Sequence, residues 1–233
     1  ILFLAFCVLY NAQLQRNPET KKPQQISMAR AGNFIDVNVP QYPQSAYTIE
    51  QLIQNVLISG GGCAGTVSNV IVSPNLQASS SRRSWGYFNK STSPFPFDEG
   101  VVLATGRLNN IANSQFAATL STTLGTGGDT DLATALSINP SRFKDATYIQ
   151  FDFVPNSNTI SFEYIFASEE YSGSYACNYT DGFALLLKKV TDPNYTNLAV
   201  LPNNGGPVSV SNIHHYINSS CPVSYTHLTL PTK

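Results

Sequence analysis

Two consecutive stretches alternate large apolar with polar residues, and they restrict this chain to a β architecture more than any other feature does. Tyr148-Ile149-Gln150-Phe151-Asp152-Phe153-Val154 alternates as a half-buried strand should. Pro155-Asn156-Ser157-Asn158 is a turn cluster. Thr159-Ile160-Ser161-Phe162-Glu163-Tyr164-Ile165-Phe166 then alternates again, rich in aromatic and β-branched residues. The pattern predicts a hairpin at the centre of the core. Two amphipathic strands cannot stand alone in water, so a second layer must cover them. At the second strand's end, Ser168-Glu169-Glu170-Tyr171 brings two adjacent carboxylates into a loop that runs on to Cys177. Asp181-Gly182-Phe183-Ala184-Leu185-Leu186-Leu187 follows as a more fully buried strand.

The flanking segments add short elements. Thr48-Ile49-Glu50-Gln51 has the form of a capping box, and Leu52, Ile53, Val56 and Leu57 form an apolar stripe, predicting a helix over Ile49 to Leu57. Gly60-Gly61-Gly62 ends it; without a Gly-Lys-Ser/Thr continuation it is a flexible cap, not a phosphate loop. Phe34 to Val39 reads as an edge strand, and Val67 to Val72, Trp85 to Phe88 and Val101 to Ala104 as strands. Asn109 to Leu124 reads as loop with a helical turn, and Asp131 to Leu136 as a short helix capped by Thr130. Leu198 to Leu201, Val208 to Val210 and Ile213 to Ile217 supply further short strands. Many short strands, closely spaced turns and no βαβ rhythm indicate an all-β domain, mainly an antiparallel β-sandwich of jelly-roll-like form, with one or two short helices.

Several of these segments together resemble a known family. Phe166-Ala167-Ser168-Glu169-Glu170-Tyr171, preceded by Phe151-Asp152-Phe153-Val154-Pro155 and followed by Asp181-Gly182-Phe183, is similar to the choice-of-anchor L domain. Gly100 to Gly106, Gly128-Asp129-Thr130-Asp131-Leu132 and the Tyr47 to Asn69 segment match as well. The resemblance spans roughly Tyr47 to Cys221. It implies a secreted or surface-attached bacterial protein, and no particular reaction, since the family is named for its varied C-terminal anchors.

The ends point the same way. Ile1 to Tyr10 is apolar throughout and is followed by Asn11-Ala12-Gln13, which suits signal-peptidase cleavage. The run is too short to span a bilayer, so residues 1–12 are expected to be part of a signal peptide, with a buried core strand as the alternative. Cys7 is preceded by Phe6 where lipidation needs a small residue. Residues 13–44 are polar and proline-punctuated and read as a leader or linker; residues 45–221 form the β domain. Val223 to Thr232 resembles a translated sequencing adaptor, so 222–233 is expected to be a non-native tail that replaces the true C-terminal region.

Charged residues make up 12% of the chain and the net charge is −1, which excludes the basic stripe that nucleic-acid binding needs. Arg82-Arg83 and Lys188-Lys189 read as solvated pairs. After the leader, Cys63, Cys177 and Cys221 leave one disulfide and one spare thiol; Cys63 can pair with Cys221 or with Cys177.

Asp129-Thr130-Asp131 in its glycine-rich loop is the best metal motif. Oxygen ligands two residues apart can face one hard cation, with Glu169, Glu170 and Asp181 as completing ligands for calcium. Against this, Asp129 can cap a turn and Asp131 can sit at a helix start, beside the positive end of its dipole. Glu169-Glu170 as an acid/base pair is the alternative enzymatic reading, a secreted carbohydrate-active hydrolase, but adjacent residues on an extended segment point to opposite faces. Nucleophile schemes need a histidine, and only His214 and His215 are available, adjacent on a predicted strand. Trp85, Tyr87, Phe88, Phe95 and Phe97 are expected to pack in the core. Tyr171, Tyr175 and Tyr179 flank the acidic loop and suit contacts with a glycan or a protein. The sequence therefore predicts a non-enzymatic module of an exported surface protein, secreted or at the cell surface. It acts in adhesion or in glycan or protein binding, with calcium as its one expected cofactor and attachment through a region outside this sequence. A purely structural spacer is the third reading.

Overall fold

The structure, a computed structural model, describes residues 2–6, 34–58, 64–76, 80–111, 122–156, 162–171, 175–179 and 181–213. Its centre is a five-stranded antiparallel sheet. The strands are β1 (Leu2–Phe6), β2 (Asp36–Val37), β4 (Trp85–Asn89), β5 (Glu99–Leu103) and β7 (Phe162–Phe166), in the order β2-β4-β5-β1-β7. A separate antiparallel ribbon pairs β3 (Ala64–Ser73) with β6 (Tyr148–Pro155).

Alternation along the strands explains how the two layers meet. Side chains on successive strand residues face opposite sides. Trp85 and Tyr87 of β4, Val101 and Leu103 of β5, and Tyr164 and Phe166 of β7 all face one core. Val67, Val70 and Val72 of β3 and Ile149 and Phe151 of β6 close that core from the ribbon side. The other face of the sheet presents Phe88, Val102, Ile165 and Ala167 to a second cluster with Val37, Leu108, Ile111, Phe95 and Phe97. A sheet covered on both faces demands a continuous apolar run in its inner strand, which is what Val101-Val102-Leu103 supplies.

The predicted hairpin is not what forms. β6 and β7 follow one another in sequence yet belong to different sheets, β6 with β3 and β7 with β1. Each has an apolar face that fits the same core, so crossing from one layer to the other lets the two faces meet across it. Pairing side by side would place both in one layer. The ribbon is pinned to the main sheet at its start, where Thr147 Oγ1 lies 2.8 Å from Ser84 Oγ and 2.7 Å from the Ala104 carbonyl.

In the ribbon, two residues of β3, Asn69 and Val70, lie opposite the single Phe151 of β6. Such a bulge bends the strand, and Asn69 takes up the left-handed conformation, φ 52°, that an asparagine tolerates. Its side-chain amide donates to Asp152 at 2.6 Å.

The first helix forms as the capping box requires. Thr48 Oγ1 accepts from the Gln51 amide at 3.3 Å and Gln51 Oε1 accepts from the Thr48 amide at 2.9 Å. Helix α1 (Ile49–Leu52) continues as a π-helical turn over Ile53–Leu57, and it buries Ile49, Leu52, Ile53 and Leu57 in the main core. Helix α2 (Thr130–Leu136) starts one residue earlier than expected, because Asp129 and not Thr130 is its N-cap. The third apolar region also differs from expectation. Asp181 to Leu187 is not one strand: Gly182 bridges Ser209, and only β8 (Leu186–Leu187) pairs with β9 (Thr196–Asn197). Leu198 to Leu201 and Val208 to Val210 are likewise connected by isolated bridges and single backbone bonds, such as Phe183 N to Val208 O at 3.0 Å.

Arg83 corrects the reading of Arg82-Arg83 as a solvated pair. It is 2% exposed, donates to the Ser45 and Tyr47 carbonyls at 3.3 Å each, and its guanidinium lies 3.7 Å above the Trp85 ring. Burial lowers its pKa to about 10. It ties the turn that precedes α1 to β4. Arg82 remains exposed, and its guanidinium donates to the Leu124 carbonyl.

Among the described residues no helix is long and apolar enough to cross a membrane.

Candidate functional site: the acidic loop after β7

β7 ends at Phe166, and the chain turns through Ala167 and Ser168 into a short 3-10 turn, Glu169–Tyr171. A second such turn, Tyr175–Cys177, packs against it. Asp181 returns beside the first turn because Val210 N donates to its carbonyl at 2.9 Å, tying the chain to the bridge at Gly182.

One hydroxyl gathers this loop. Ser168 Oγ donates to Glu170 and lies 2.8 Å from Asp181 Oδ2, while the Glu170 amide donates back to Ser168 Oγ at 3.2 Å. A hydroxyl carries one proton and can satisfy one carboxylate at a time. Two carboxylates converging on it therefore form a locally negative site. The neighbouring phenol registers that charge: Tyr171 has its pKa pushed up to about 12, first by burial and then by Asp181 and Glu170.

The sequence-predicted residues divide clearly. Glu170 and Asp181 are brought together, and Ser168 is the residue that sequence reasoning missed. Its signal was its place immediately before the carboxylate pair, where a hydroxyl can cap the turn and reach both sides. Glu169 lies in the same turn, and its side chain is not among those described. Asp129 is instead at the N-terminus of α2, where its Oδ1 accepts from the Leu132 amide at 2.7 Å. Asp131 is exposed in the first turn of that helix. Among the described residues no group of three or more His, Cys, Asp or Glu side chains is placed to hold a metal ion. The cluster at Ser168 therefore offers two carboxylates and a hydroxyl.

The tyrosines divide too. Tyr171 is half-buried, whereas Tyr175 and Tyr179 are exposed, with ring centroids 5.9 Å apart. Tyr179 is held in place by its amide, which donates to the Tyr175 carbonyl at 2.9 Å. The other aromatic group is core: Trp85, Tyr87 and Phe88 are buried, and Phe95 and Phe97 pack against the second cluster. Tyr87 shows how a polar tip is accommodated there, donating to Glu99 Oε2 at 2.5 Å, with its pKa raised by burial and by that bond.

Cys177 closes the second turn; Cys63, Cys221, His214 and His215 lie outside the described residues. A cavity of about 360 Å³ lies elsewhere, between the start of α1 and β3, lined by Tyr47, Thr48, Glu50, Ile71, Asn75 and Trp85 among others. It contains a single carboxylate, Glu50.

The model of the choice-of-anchor L domain matches residues 38–228, most of the chain. The chain belongs to the choice-of-anchor L domain family. No curated protein and no solved structure matches it significantly. Choice-of-anchor domains are modules of exported, surface-anchored proteins, which places this one in an extracellular, surface-associated setting. The matched region contains the whole acidic loop, α2 and the main core cluster.

Proposed function

We infer that this choice-of-anchor L domain is a non-enzymatic contact module of an exported bacterial surface protein, binding an extracellular glycan or protein. The observation that carries this reading is the exposed Tyr175 and Tyr179 pair on a turn packed against the acidic loop. Exposed tyrosines contribute apolar area at low entropic cost and keep a hydroxyl for hydrogen bonds, which suits both sugar rings and protein surfaces.

Calcium is the proposed brace of that turn. Glu170, Asp181 and Ser168 supply oxygen ligands, and calcium accepts irregular sets of oxygens completed by water. A bound cation would relieve the repulsion of two carboxylates sharing one hydroxyl and hold the turn that carries the tyrosines. Asp129 is occupied as a helix cap, which favours the loop over the Asp129–Asp131 motif as the cation's position.

The test is binding of the domain to an array of extracellular polysaccharides and matrix proteins, with Tyr175→Ala/Tyr179→Ala as the comparison. The reading expects binding to at least one class, lost in the double variant without a change in melting temperature. Equal binding by both forms, or none by the native domain, would remove the tyrosine surface from the account and favour a spacer.

A further inference from the structure

The cavity between α1 and β3 has walls fixed by buried bonds. Its volume, about 360 Å³, is that of a small-ligand pocket. Trp85 is the most deeply buried of its lining residues, 3% exposed. The Arg83 guanidinium, which does not line the cavity, lies 3.7 Å above that indole and donates to the Tyr47 carbonyl. Trp85 Nε1 in turn donates to the Pro74 carbonyl at 2.9 Å. The turn before α1, the start of β4 and the chain just after β3 are thereby tied together around the cavity. The capping box at Thr48 and Gln51 fixes the first turn of α1, which carries Glu50. Walls held this way are in place before a ligand arrives.

The lining sorts by depth. Ile49, Val72 and Trp85 are buried, and the indole nitrogen is already bonded, so the floor offers carbon alone. Thr48, Glu50 and Asn75 are exposed and form the mouth. Among the described residues neither the Glu50 carboxylate nor the Asn75 side-chain amide is engaged in a hydrogen bond. Thr48 Oγ1 accepts from the Gln51 amide and keeps its own proton to donate. An apolar floor under a polar rim matches a pyranose ring, whose C–H face packs on aromatic carbon while its hydroxyls bond at the edge. A purely apolar occupant, such as a protein's aliphatic side chain, would cover these rim groups without pairing them, which is costly. Charge narrows the choice further. Glu50 is the only charged lining residue, so an anionic sugar would meet a carboxylate with no cation in the lining to offset it. A cationic sugar would approach the Arg83 guanidinium through the indole. One carboxylate also falls short of the pair that glycoside hydrolysis needs, so the site binds and does not cleave.

We propose that this cavity binds one neutral pyranose unit of an extracellular glycan, with Trp85 and Val72 beneath the ring and Thr48, Glu50 and Asn75 bonding its hydroxyls. The inference rests on the glycan branch of the proposed function and names its ligand class, at lining residues that include neither Tyr175 nor Tyr179.

Trp85 is the sole tryptophan of the chain, so its emission reports on this cavity. The full chain is titrated with the methyl glycosides of glucose, galactose and mannose, and with those of glucuronic acid and glucosamine as charged forms of the same ring. Saturation-transfer NMR on each glycoside detects binding that leaves the emission unchanged. The series is repeated on Glu50→Ala/Asn75→Ala, both exposed positions, and on Tyr175→Ala/Tyr179→Ala, with melting temperatures confirming that each variant folds. Expected is saturable binding of at least one neutral glycoside, weakened about tenfold in Glu50→Ala/Asn75→Ala and unchanged in Tyr175→Ala/Tyr179→Ala. No binding of any neutral glycoside, tighter binding of a charged one, or binding unaffected in Glu50→Ala/Asn75→Ala would overturn the proposal. Binding lost only in Tyr175→Ala/Tyr179→Ala would also overturn it, while leaving the tyrosine reading standing.

Discussion

Asp129 and Asp131 are two residues apart, yet their surroundings separate them. Asp129 satisfies one of the orphan amides at the start of α2, and Asp131 only faces solvent near the same dipole. Asp129→Ala is therefore expected to lower stability by about 1 kcal/mol, in the usual range for loss of an N-cap. Asp131→Ala is expected to lower it by roughly 0.3–1 kcal/mol at most. Asp129→Asn, which preserves the cap, should leave stability close to native. Chemical denaturation of the three variants checks the order, and an Asp131→Ala cost above that of Asp129→Ala would contradict it. A second prediction concerns alkaline pH. Tyr164 and Tyr171 both have their pKa raised from 10.0 to about 12, Tyr164 by burial and Tyr171 chiefly so. The folded state keeps protons that the unfolded state releases above pH 10, so this stability is complete below pH 10 and is lost as pH rises to about 12. Tyr171→Phe should flatten the fall, by on the order of 1–2 kcal/mol over that interval, since the ring is partly exposed. Denaturation midpoints between pH 9 and 12 measure it, and an unchanged slope would show that Tyr171 does not titrate this way.

At the scale of elements, the close approach of α2 to the chain after Asp181 depends on a glycine. A Cβ on Gly182 would meet Leu136 of α2, whose side chain fills that space. Gly182→Ala is expected to cost about 1–3 kcal/mol through overpacking. Leu136→Ala alone removes buried contacts, at about 2–5 kcal/mol. The double variant should cost less than the sum, because the smaller side chain makes room for the added methyl. Additive costs in a double-mutant cycle would contradict the contact. Elements governed by local chemistry were legible in the sequence. The Thr48–Gln51 capping box announces α1, and the alternation of Tyr148 to Val154 announces β6. Pairing was not legible: β6 and β7 read as a hairpin because alternation reports which face is buried and carries nothing about which neighbour supplies the hydrogen bonds. The residues after Asp181 read as one strand because Phe183 and Leu185 are apolar for packing against the core, while their backbone is tied by isolated bridges.

For the whole molecule, the legible part was the composition of the layers and the family, and the obscure part was long-range convergence. Glu170 and Asp181 were both named from the sequence, but Ser168 joins them only because the chain returns beside its own turn at Val210. Arg83 read as solvated because its partners are backbone carbonyls at Ser45 and Tyr47, which no side-chain pattern reveals. Its guanidinium spans the turn before α1 and the sheet. Arg83→Ala is thus expected to lower stability by about 2–4 kcal/mol, from two lost charge-assisted bonds and the contact over Trp85. Thermal unfolding of this variant, with Arg82→Ala as the exposed comparison, checks it; equal effects from the two arginines would contradict the placement.

The central claim is that the acidic loop beneath the tyrosine pair is braced by a hard cation. Thermal unfolding of the native domain with calcium and with excess chelator tests it most directly, beside Glu170→Gln/Asp181→Asn and Asp129→Asn. The account predicts a calcium-dependent rise in melting temperature of about 2–4 °C per kcal/mol of binding linkage. That rise should persist in Asp129→Asn and vanish in Glu170→Gln/Asp181→Asn. No rise in the native domain, or one that survives in Glu170→Gln/Asp181→Asn, would contradict it.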